Sequence, residues 1–316
     1  MSKKCVISVD LGGTNLRVGA VDEEGRIVER LKKESQSRSR AAVVLGRVAE
    51  SILEIAKRVQ ASGGTIRGVA LGFPGIVDGT KGIVYRSPHF PDWKDLDLRG
   101  YFQNRLEWPL VIDNDATLAA VGEGWKGAGV GLKNFVMLTL GTGIGGGLIL
   151  NGKPFHGDRG FAGEVGHIVI AADGARCACG GRGCLETYAS SHGITRMAGD
   201  SDHAEGREVF LERAGKSLEG TTVRKFYEAA RDGDIFAASI FKKMGYYLGI
   251  GIASLANTLG VENFILGGGI SEAWDFFIEP ARKELAQRTY AETAKAIQIR
   301  KSKLGDDAAL VGGAAR

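Results

Sequence analysis

The chain has 316 residues, enough at about 150 residues per domain for two domains with cores of their own. With 44% hydrophobic and 25% charged residues it is neither a disordered chain nor a fibrous one. The 41 Lys and Arg against 37 Asp and Glu leave a scattered net charge of +4, which does not argue for nucleic acid, and 4 cysteines exclude a disulfide-built scaffold.

Glycine is the outlier at 48 residues, about twice the usual share of ~7%. Proline is scarce at 6 and no Gly-X-Y period exists. The glycines therefore serve turns and close backbone approach. Residues 1–5 lead into a short apolar run and then Asp10, which does not make a signal peptide, so a cytoplasmic protein is expected. Two uncharged stretches, 134–152 and 244–261, approach the length of a membrane span. Both contain glycines and polar residues. The first reads as strand–turn–strand and the second as a buried helix, so no membrane partner is expected.

In chain order, residues 6–9 are β-branched and end at a glycine turn, which predicts a strand. A second strand is expected over 16–21, a turn over 22–25 and a third strand over 27–31. Residues 41–61 carry Val44, Leu45, Val48, Ile52, Ile55, Ala56 and Val59 on one helical face, and Ser62-Gly63-Gly64 ends that helix. A strand over 66–71 runs into Gly72-Phe73-Pro74-Gly75. A short strand over 110–112 ends at Asp113-Asn114-Asp115, with a helix over 116–123. Residues 135–140 and 147–150 read as a hairpin. An irregular glycine-rich loop covers 177–184, and helices dominate 185–259. A strand over 264–266 leads into Gly267-Gly268-Gly269, then a helix over 272–288 and a strand over 297–300. Alternation of this kind indicates an α/β architecture. The chain has no low-complexity linker, so short crossings are expected to join the domains.

The segment from Val9 to Thr14 resembles the segment from Leu138 to Gly143, about one domain length later. Each is a strand, a glycine turn and then further apolar residues. Such a repeat would give two phosphate-sized turns, one in each half.

Four clusters can carry chemistry. In the first, Asp10-Leu11-Gly12-Gly13-Thr14, the glycines admit an anion to backbone N–H groups and Thr14 adds a hydroxyl. Asp10 is suited to a hydrated Mg²⁺. No Gly-Lys-Ser/Thr follows, and no helix opens there, so it is neither a Walker loop nor a dinucleotide fingerprint. Alone it reads equally as a hairpin turn with an Asp. The second, Thr139 to Gly147, is glycine-dense in a way that costs folding entropy and is explained by close approach to a phosphate or by a tight sheet corner. In the third, Asp113-Asn114-Asp115, Asp115 is either an N-cap of the helix that follows or a general base, with Asn114 donating to a polar substrate. The fourth holds His167 with Cys177, Cys179 and Cys184, a Cys₃His set suited to a structural Zn²⁺. Glu164 and Glu186 flank it and could accept from sugar hydroxyls, or stand as two surface glutamates. Cys5 reads as a buried small residue in its strand.

With these residues in view, the chain resembles the sugar kinases of the ROK family over nearly its whole length. The segments that carry the resemblance are DLGGT at 10–14, GFPG at 72–75, DNDA at 113–116 and LGTGIGGG from Leu140. AGEVGH at 162–167, CACGGRGCLE at 177–186 and LGGGIS at 266–271 complete it. The Cys-x-Cys-Gly-x-x-Gly-Cys-x-Glu pattern is the most specific of them.

The resemblance implies a two-domain hexokinase/actin-like ATPase fold, with duplicated ribonuclease H-like units and an interdomain cleft. It places residues 1–115 plus 303–316 in a small N-terminal domain and 116–302 in a larger one with the zinc loop. It implies an ATP- and Mg²⁺-dependent hexose kinase acting on the 6-hydroxyl of glucose, with Asp115 as general base. Gly75, Asn114, Asp115, Glu164, His167 and Glu186 would contact the sugar. Asp10, Gly12, Gly13 and Thr14, then Gly141, Thr142 and Gly143, would hold phosphates, and Gly268 and Gly269 the adenosine. His167, Cys177, Cys179 and Cys184 would hold Zn²⁺. The context of 184–190 looks most like the glucokinase branch. Kinases for N-acetylglucosamine, N-acetylmannosamine or fructose remain open, as does a sugar sensor without turnover. The family's repressors carry a helix-turn-helix domain ahead of the first glycine turn, for which nine residues before Asp10 leave no room. A homo-oligomer, dimer or tetramer, is expected.

Overall fold

A computed structural model describes residues 3–87, 90–200, 205–214, 217–218 and 220–316. The strands are β1 Lys4–Leu11, β2 Asn15–Asp22, β3 Ile27–Glu34, β4 Thr65–Phe73, β5 Ile76–Asp78, β6 Ile83–Arg86 and β7 Lys94–Asp97. They continue with β8 Leu110–Asn114, β9 Phe135–Leu140, β10 Ile144–Leu150, β11 Lys153–Pro154, β12 Asn263–Gly267 and β13 Gln298–Lys301. The helices are α1 Ala41–Ala61, α2 Leu98–Gln103, α3 Asp115–Lys126, α4 Glu186–Ala189, α5 Ser191–Gly199 and α6 Arg207–Ala214. They end with α7 Val223–Arg231, α8 Ile235–Leu259, α9 Trp274–Arg288, α10 Ala291–Ala296 and α11 Ala308–Ala314.

The first five-stranded sheet has the order β3-β2-β1-β4-β8, and the second has β11-β10-β9-β12-β13. Numbered by appearance within each sheet, both read 3-2-1-4-5. In both, a glycine turn joins strand 1 to strand 2, so the similarity of the two sequence segments reflects a repeated topology. A small sheet, β5-β6-β7, stands apart.

In the first sheet β1 pairs antiparallel with β2 and parallel with β4, and β4 pairs parallel with β8. The alternation of β1 and β2 buries Ile7, Val9, Leu11, Leu16 and Val18 against the apolar stripe of α1, including Val48, Ile52 and Ile55. Burial of each such side chain stabilises by about 1.5–3 kcal/mol, and that gain fixes the register. A slip of one residue would turn each strand's apolar set away from α1 to the face covered by α11.

The chain divides into two compact units. One comprises Met1–Met137, Gly146–Gly163 and Ser302–Arg316, and the other Leu138–Gly145 and Glu164–Lys301. The sequence placed the boundary after Asp115. The structure keeps 116–137 and 146–163 with the first unit, and for α3 packing explains this. Helices α3 and α11 approach backbone to backbone. A Cβ at Gly122 would strike the Ala308 carbonyl, and one at Gly312 would strike that of Leu118. In the other unit, α8 is the buried helix expected over 244–261, beginning earlier at Ile235. Its long apolar face packs on α9, where Gly245 and Gly249 meet the backbone of Phe277 and Ala281. Among the described residues no helix is long and apolar enough to cross a membrane.

Candidate active site and metal centre

In the first unit the parallel strands β1, β4 and β8 end on one edge of the sheet. Asp10 stands opposite Gly72, and Gly72 opposite Asp113. With strands about 4.8 Å apart, this edge gathers the Asp10 turn, the Gly72–Gly75 loop and the Asp113–Asp115 turn. The carboxyl ends of strands are where α/β folds bind ligands.

The β1–β2 turn is held from below. The Gly12 N–H donates to the Asn15 carbonyl at 2.8 Å, and Ser35 ties down the other side. Its hydroxyl donates to the Gly13 carbonyl at 2.8 Å, and its N–H to the Thr14 carbonyl at 3.0 Å. The N–H groups of Gly13 and Thr14 make no hydrogen bond among the described residues. That is a cradle of donors for an anion. Asp10 is buried, and its Oδ2 accepts from Arg17 Nη1 at 3.1 Å, while Arg17 Nη2 reaches Asp306 at 2.7 Å. Burial pushes the Asp10 carboxyl up, against the opposing pull of Arg17. Arg17 was not singled out from sequence. The hairpin register, which sets Asp10 opposite Arg17, is the signal that could have found it.

Asn114, and not Asp115, is the N-cap of α3. Its Oδ1 accepts from the Thr117 N–H at 3.0 Å, and its Nδ2 donates to the Gly75 carbonyl at 3.1 Å. One amide N–H and one lone pair are left for a ligand. Gly75 adopts φ 100°, and a Cβ there would strike the Arg86 carbonyl, so the loop admits only glycine. Asp115 is the first helical residue, with its Oδ1 accepting the Ala116 N–H at 2.8 Å. The positive end of the α3 dipole faces its carboxylate. The neighbouring Asp113 points elsewhere, to His156 and Arg316.

In the second unit, the Gly141 carbonyl is held by the Ser191 N–H at 2.9 Å and hydroxyl at 3.0 Å. The N–H groups of Thr142 and Gly143 make no hydrogen bond among the described residues, which repeats the pattern of the first turn. Gly143 has no room for a Cβ because Glu186 Oε2 lies there, accepting from the Ile144 N–H at 2.9 Å. Glu186 thus braces the turn as well as flanking the cysteines. Gly268 has φ 81°, and a Cβ there would fall on the backbone of Leu140, whereas Gly269 faces open space.

The structure brings His167, Cys177, Cys179 and Cys184 together, with their ligand atoms all within 4.8 Å of one another. Cys179 and Cys184 Sγ are 3.8 Å apart, and Cys177 Sγ is 3.7 Å from His167 Nδ1. Zn–S bonds of about 2.3 Å in a tetrahedron require S···S edges of about 3.8 Å. Three thiols, one imidazole and this spacing fit Zn²⁺. Burial pushes the Cys177 thiol up and the Cys184 thiol up to about 12, so a cation must displace protons on binding. Glu164 Oε2 stands 3.7 Å from His167 Nε2, and burial pushes its carboxyl up.

Two further buried carboxylates escaped the sequence reading in their roles. Asp113 is joined by partners from distant segments. Glu123 accepts from Ala128, Ser302, Lys303 and Leu304. Nothing in local spacing announces either set of partners.

Residues 6–316 match the ROK family. A glucokinase of Halalkalibacterium halodurans is 36% identical over 316 residues, covering 99% of this chain and 94% of that one. A xylose repressor of Caldicellulosiruptor bescii is 32% identical over 249 residues, 78% of this chain and 61% of the repressor. A ROK family glucokinase from Streptomyces griseus, solved in complex with glucose and AMPPNP, superposes with a TM-score of 0.84 at 34% identity, covering 98% of each chain. The duplicated sheets and this likeness give the hexokinase/actin-like ATPase fold. On the family match, the shared topology and the cysteine–histidine cluster together, this chain belongs to the ROK family.

Proposed function

We propose that the protein is an ATP-dependent hexose kinase that phosphorylates the 6-hydroxyl of glucose, with Asp115 as general base. The observation that carries this reading is the shared edge of the first sheet. There a donor-lined glycine turn and a buried Asp at the end of β1, and a carboxylate at the helix start after β8, flank the end of the parallel strand β4 between them.

Phosphoryl transfer asks for positioning and charge neutralisation more than covalent chemistry. The N–H groups of Gly13 and Thr14, and those of Thr142 and Gly143, would receive phosphate oxygens of ATP. Gly268 and Gly269 would flank the adenosine. Asp10 would hold the hydrated Mg²⁺ that accompanies ATP, an ion that supplies charge neutralisation at the β- and γ-phosphates. Asp115 would take the proton of the 6-hydroxyl as its oxygen attacks the γ-phosphorus in line, with ADP leaving. The remaining capacity of Asn114, the Gly75 loop, and the carboxylates and imidazole of Glu164, Glu186 and His167 would orient the hexose. His167, Cys177, Cys179 and Cys184 would hold a structural Zn²⁺, which fixes their loop and so the two flanking glutamates. The same reading implies a cytoplasmic homo-oligomer, dimer or tetramer, that handles a sugar and ATP.

Glucose is favoured over N-acetylglucosamine, N-acetylmannosamine and fructose by the 184–190 context and by the glucokinase relatives. The likeness to a xylose repressor favours a second reading, a sugar sensor. A sensor needs neither Asp115 nor two phosphate turns. Asp115→Asn tests the assignment. It is expected to keep sugar binding and lose about 10²–10⁴-fold in kcat. An unchanged kcat would reject Asp115 as the base.

A further inference from the structure

The strand–helix turn that carries Asn114 and Asp115 is fastened by a charge cluster that lies off the residues assigned above. Asp113 is the last residue but one of β8, with its side chain fully buried. Its carboxylate accepts from His156 Nε2, which is 3.0 Å from each oxygen, and from Arg316 Nη2 at 3.1 Å. It also accepts the N–H of Asn114 at 2.8 Å. A carboxylate is an acceptor only, so Nε2 of His156 carries the donated proton. Those bonds use both oxygens of Asp113 and set the direction of the chain as it enters α3.

His156 follows β11 and Arg316 follows α11. The two donors therefore come from segments far from β8 in sequence, and the packing of α11 on α3 brings the second of them to the start of that helix. They meet at the residue before the cap and two before the proposed base. A buried carboxylate without partners is costly, and Asp113 could have been an apolar residue if only packing were needed. Helix α3 already has its cap in Asn114, and the sheet edge is already paired through β4.

The geometry points to His156 and Arg316 as positioning residues, which act through Asp113 to hold the Asn114–Asp115 turn in the orientation the base requires. This inference rests on the reading of Asp115 as the base. Displacement of a reacting group by about 1 Å costs about 10²-fold in rate, so loss of one clamp should act on turnover more than on binding.

The cluster opens on a cavity of about 610 Å³ that Arg99 and Asp78 also line. The side chains of His156 and Arg316 remain 31% and 27% exposed to it. A small hydrogen-bond donor can therefore enter where a side chain has been removed, which supplies a test that a merely structural role would not satisfy. The experiment measures kcat, sugar KM and Tm for wild type, Arg316→Ala, Arg316→Lys and His156→Ala in the coupled kinase assay. Guanidinium chloride is then titrated into Arg316→Ala, and imidazole into His156→Ala, at millimolar levels far below denaturation. The expected result is a fall in kcat of about 10- to 100-fold for each alanine variant, with sugar KM within about twofold. Arg316→Lys is expected to retain more turnover than Arg316→Ala, and each small donor, guanidinium or imidazole, to restore part of kcat in its own variant. Wild-type kcat in both alanine variants would overturn the inference. So would a loss that tracks Tm or KM with no rescue. Absence of turnover in the wild type would overturn the kinase reading and this inference together, an outcome distinct from the other two.

Discussion

Glu123 offers the sharpest energetic test of how the C-terminal segment is bound into the first unit. Its carboxylate sits at the end of α3 and is wholly buried. Oε1 accepts from the Ser302 hydroxyl at 2.5 Å and the Leu304 N–H at 2.8 Å. Oε2 accepts from the Ala128 N–H at 2.6 Å and the Lys303 N–H at 3.3 Å. All four donors face acceptors, and three are backbone groups that cannot rotate away. In Glu123→Gln the amide nitrogen must replace one of the oxygens. Placed at Oε2 it confronts two N–H groups, and placed at Oε1 it confronts that of Leu304. The serine hydroxyl can turn to accept, and the Lys303 bond is long, so the loss is dominated by one or two stranded N–H groups and the lost charge. At about 1–3 kcal/mol for each unsatisfied buried group and more for a charged acceptor, the cost comes to about 3–5 kcal/mol. At roughly 2–4 °C per kcal/mol for a domain of 150–250 residues, the first unfolding transition should fall by about 10 °C. Differential scanning calorimetry, with urea unfolding followed through Trp125 on the same helix, reads it. A Glu123→Gln protein that melts within about 1 °C of wild type would refute the reasoning, because near-isosteric replacement would then cost nothing where four donors converge.

Three further outcomes follow from the site. Cys179→Ala should lose bound zinc by metal analysis and weaken sugar binding, because Glu186 and His167 are placed by the same loop. Full zinc content in the variant would contradict the donor set. Asp10→Asn should abolish most turnover without lowering Tm at pH 7.5. Burial raises the folded-state pKa of Asp10 above its unfolded value of 3.8, so the native state loses stability as pH rises from below 3.8 through that raised value. The Tm difference between variant and wild type should therefore close as the pH falls toward 4, and an Asp10→Asn protein less stable at pH 7.5 than at low pH relative to wild type would contradict the sign. Gly268→Ala should destabilise by about 1–3 kcal/mol through the positive φ alone, with an added clash on Leu140. An unchanged Tm would show that the β12 turn is not held as described.

Much of this was legible because it is local. The apolar stripe of residues 41–61 coincides with α1, and the two strand–glycine–strand segments were visible as a repeat before their common 3-2-1-4-5 order was known. The spacing of the three cysteines and His167 marked the four candidate metal ligands, which the structure brings together. The small sheet was not legible. Its strand Lys94–Asp97 is almost wholly polar and exposed, so no alternation marks it. Helix α11 contains Gly312 and Gly313, both poor helix formers, yet any Cβ at Gly312 would strike the backbone of α3. Of the two alternatives open for Asp115, the cap falls to Asn114 one residue earlier, since both are good cap residues and only geometry separates them. The ion pairs of Asp113 with His156 and Arg316, and that of Arg17 with Asp306, lay beyond reach because each joins segments far apart in sequence, whereas Arg17 and Asp10 face each other across one hairpin. Charge pattern has no period there to read.

The central claim is turnover. The measurement is coupled ADP release with Mg·ATP across glucose, mannose, fructose, N-acetylglucosamine and N-acetylmannosamine. Turnover strongest with glucose is the result this account predicts. Sugar binding with full zinc content but no ADP release from any of the five would contradict it and leave a sensor in place of a kinase.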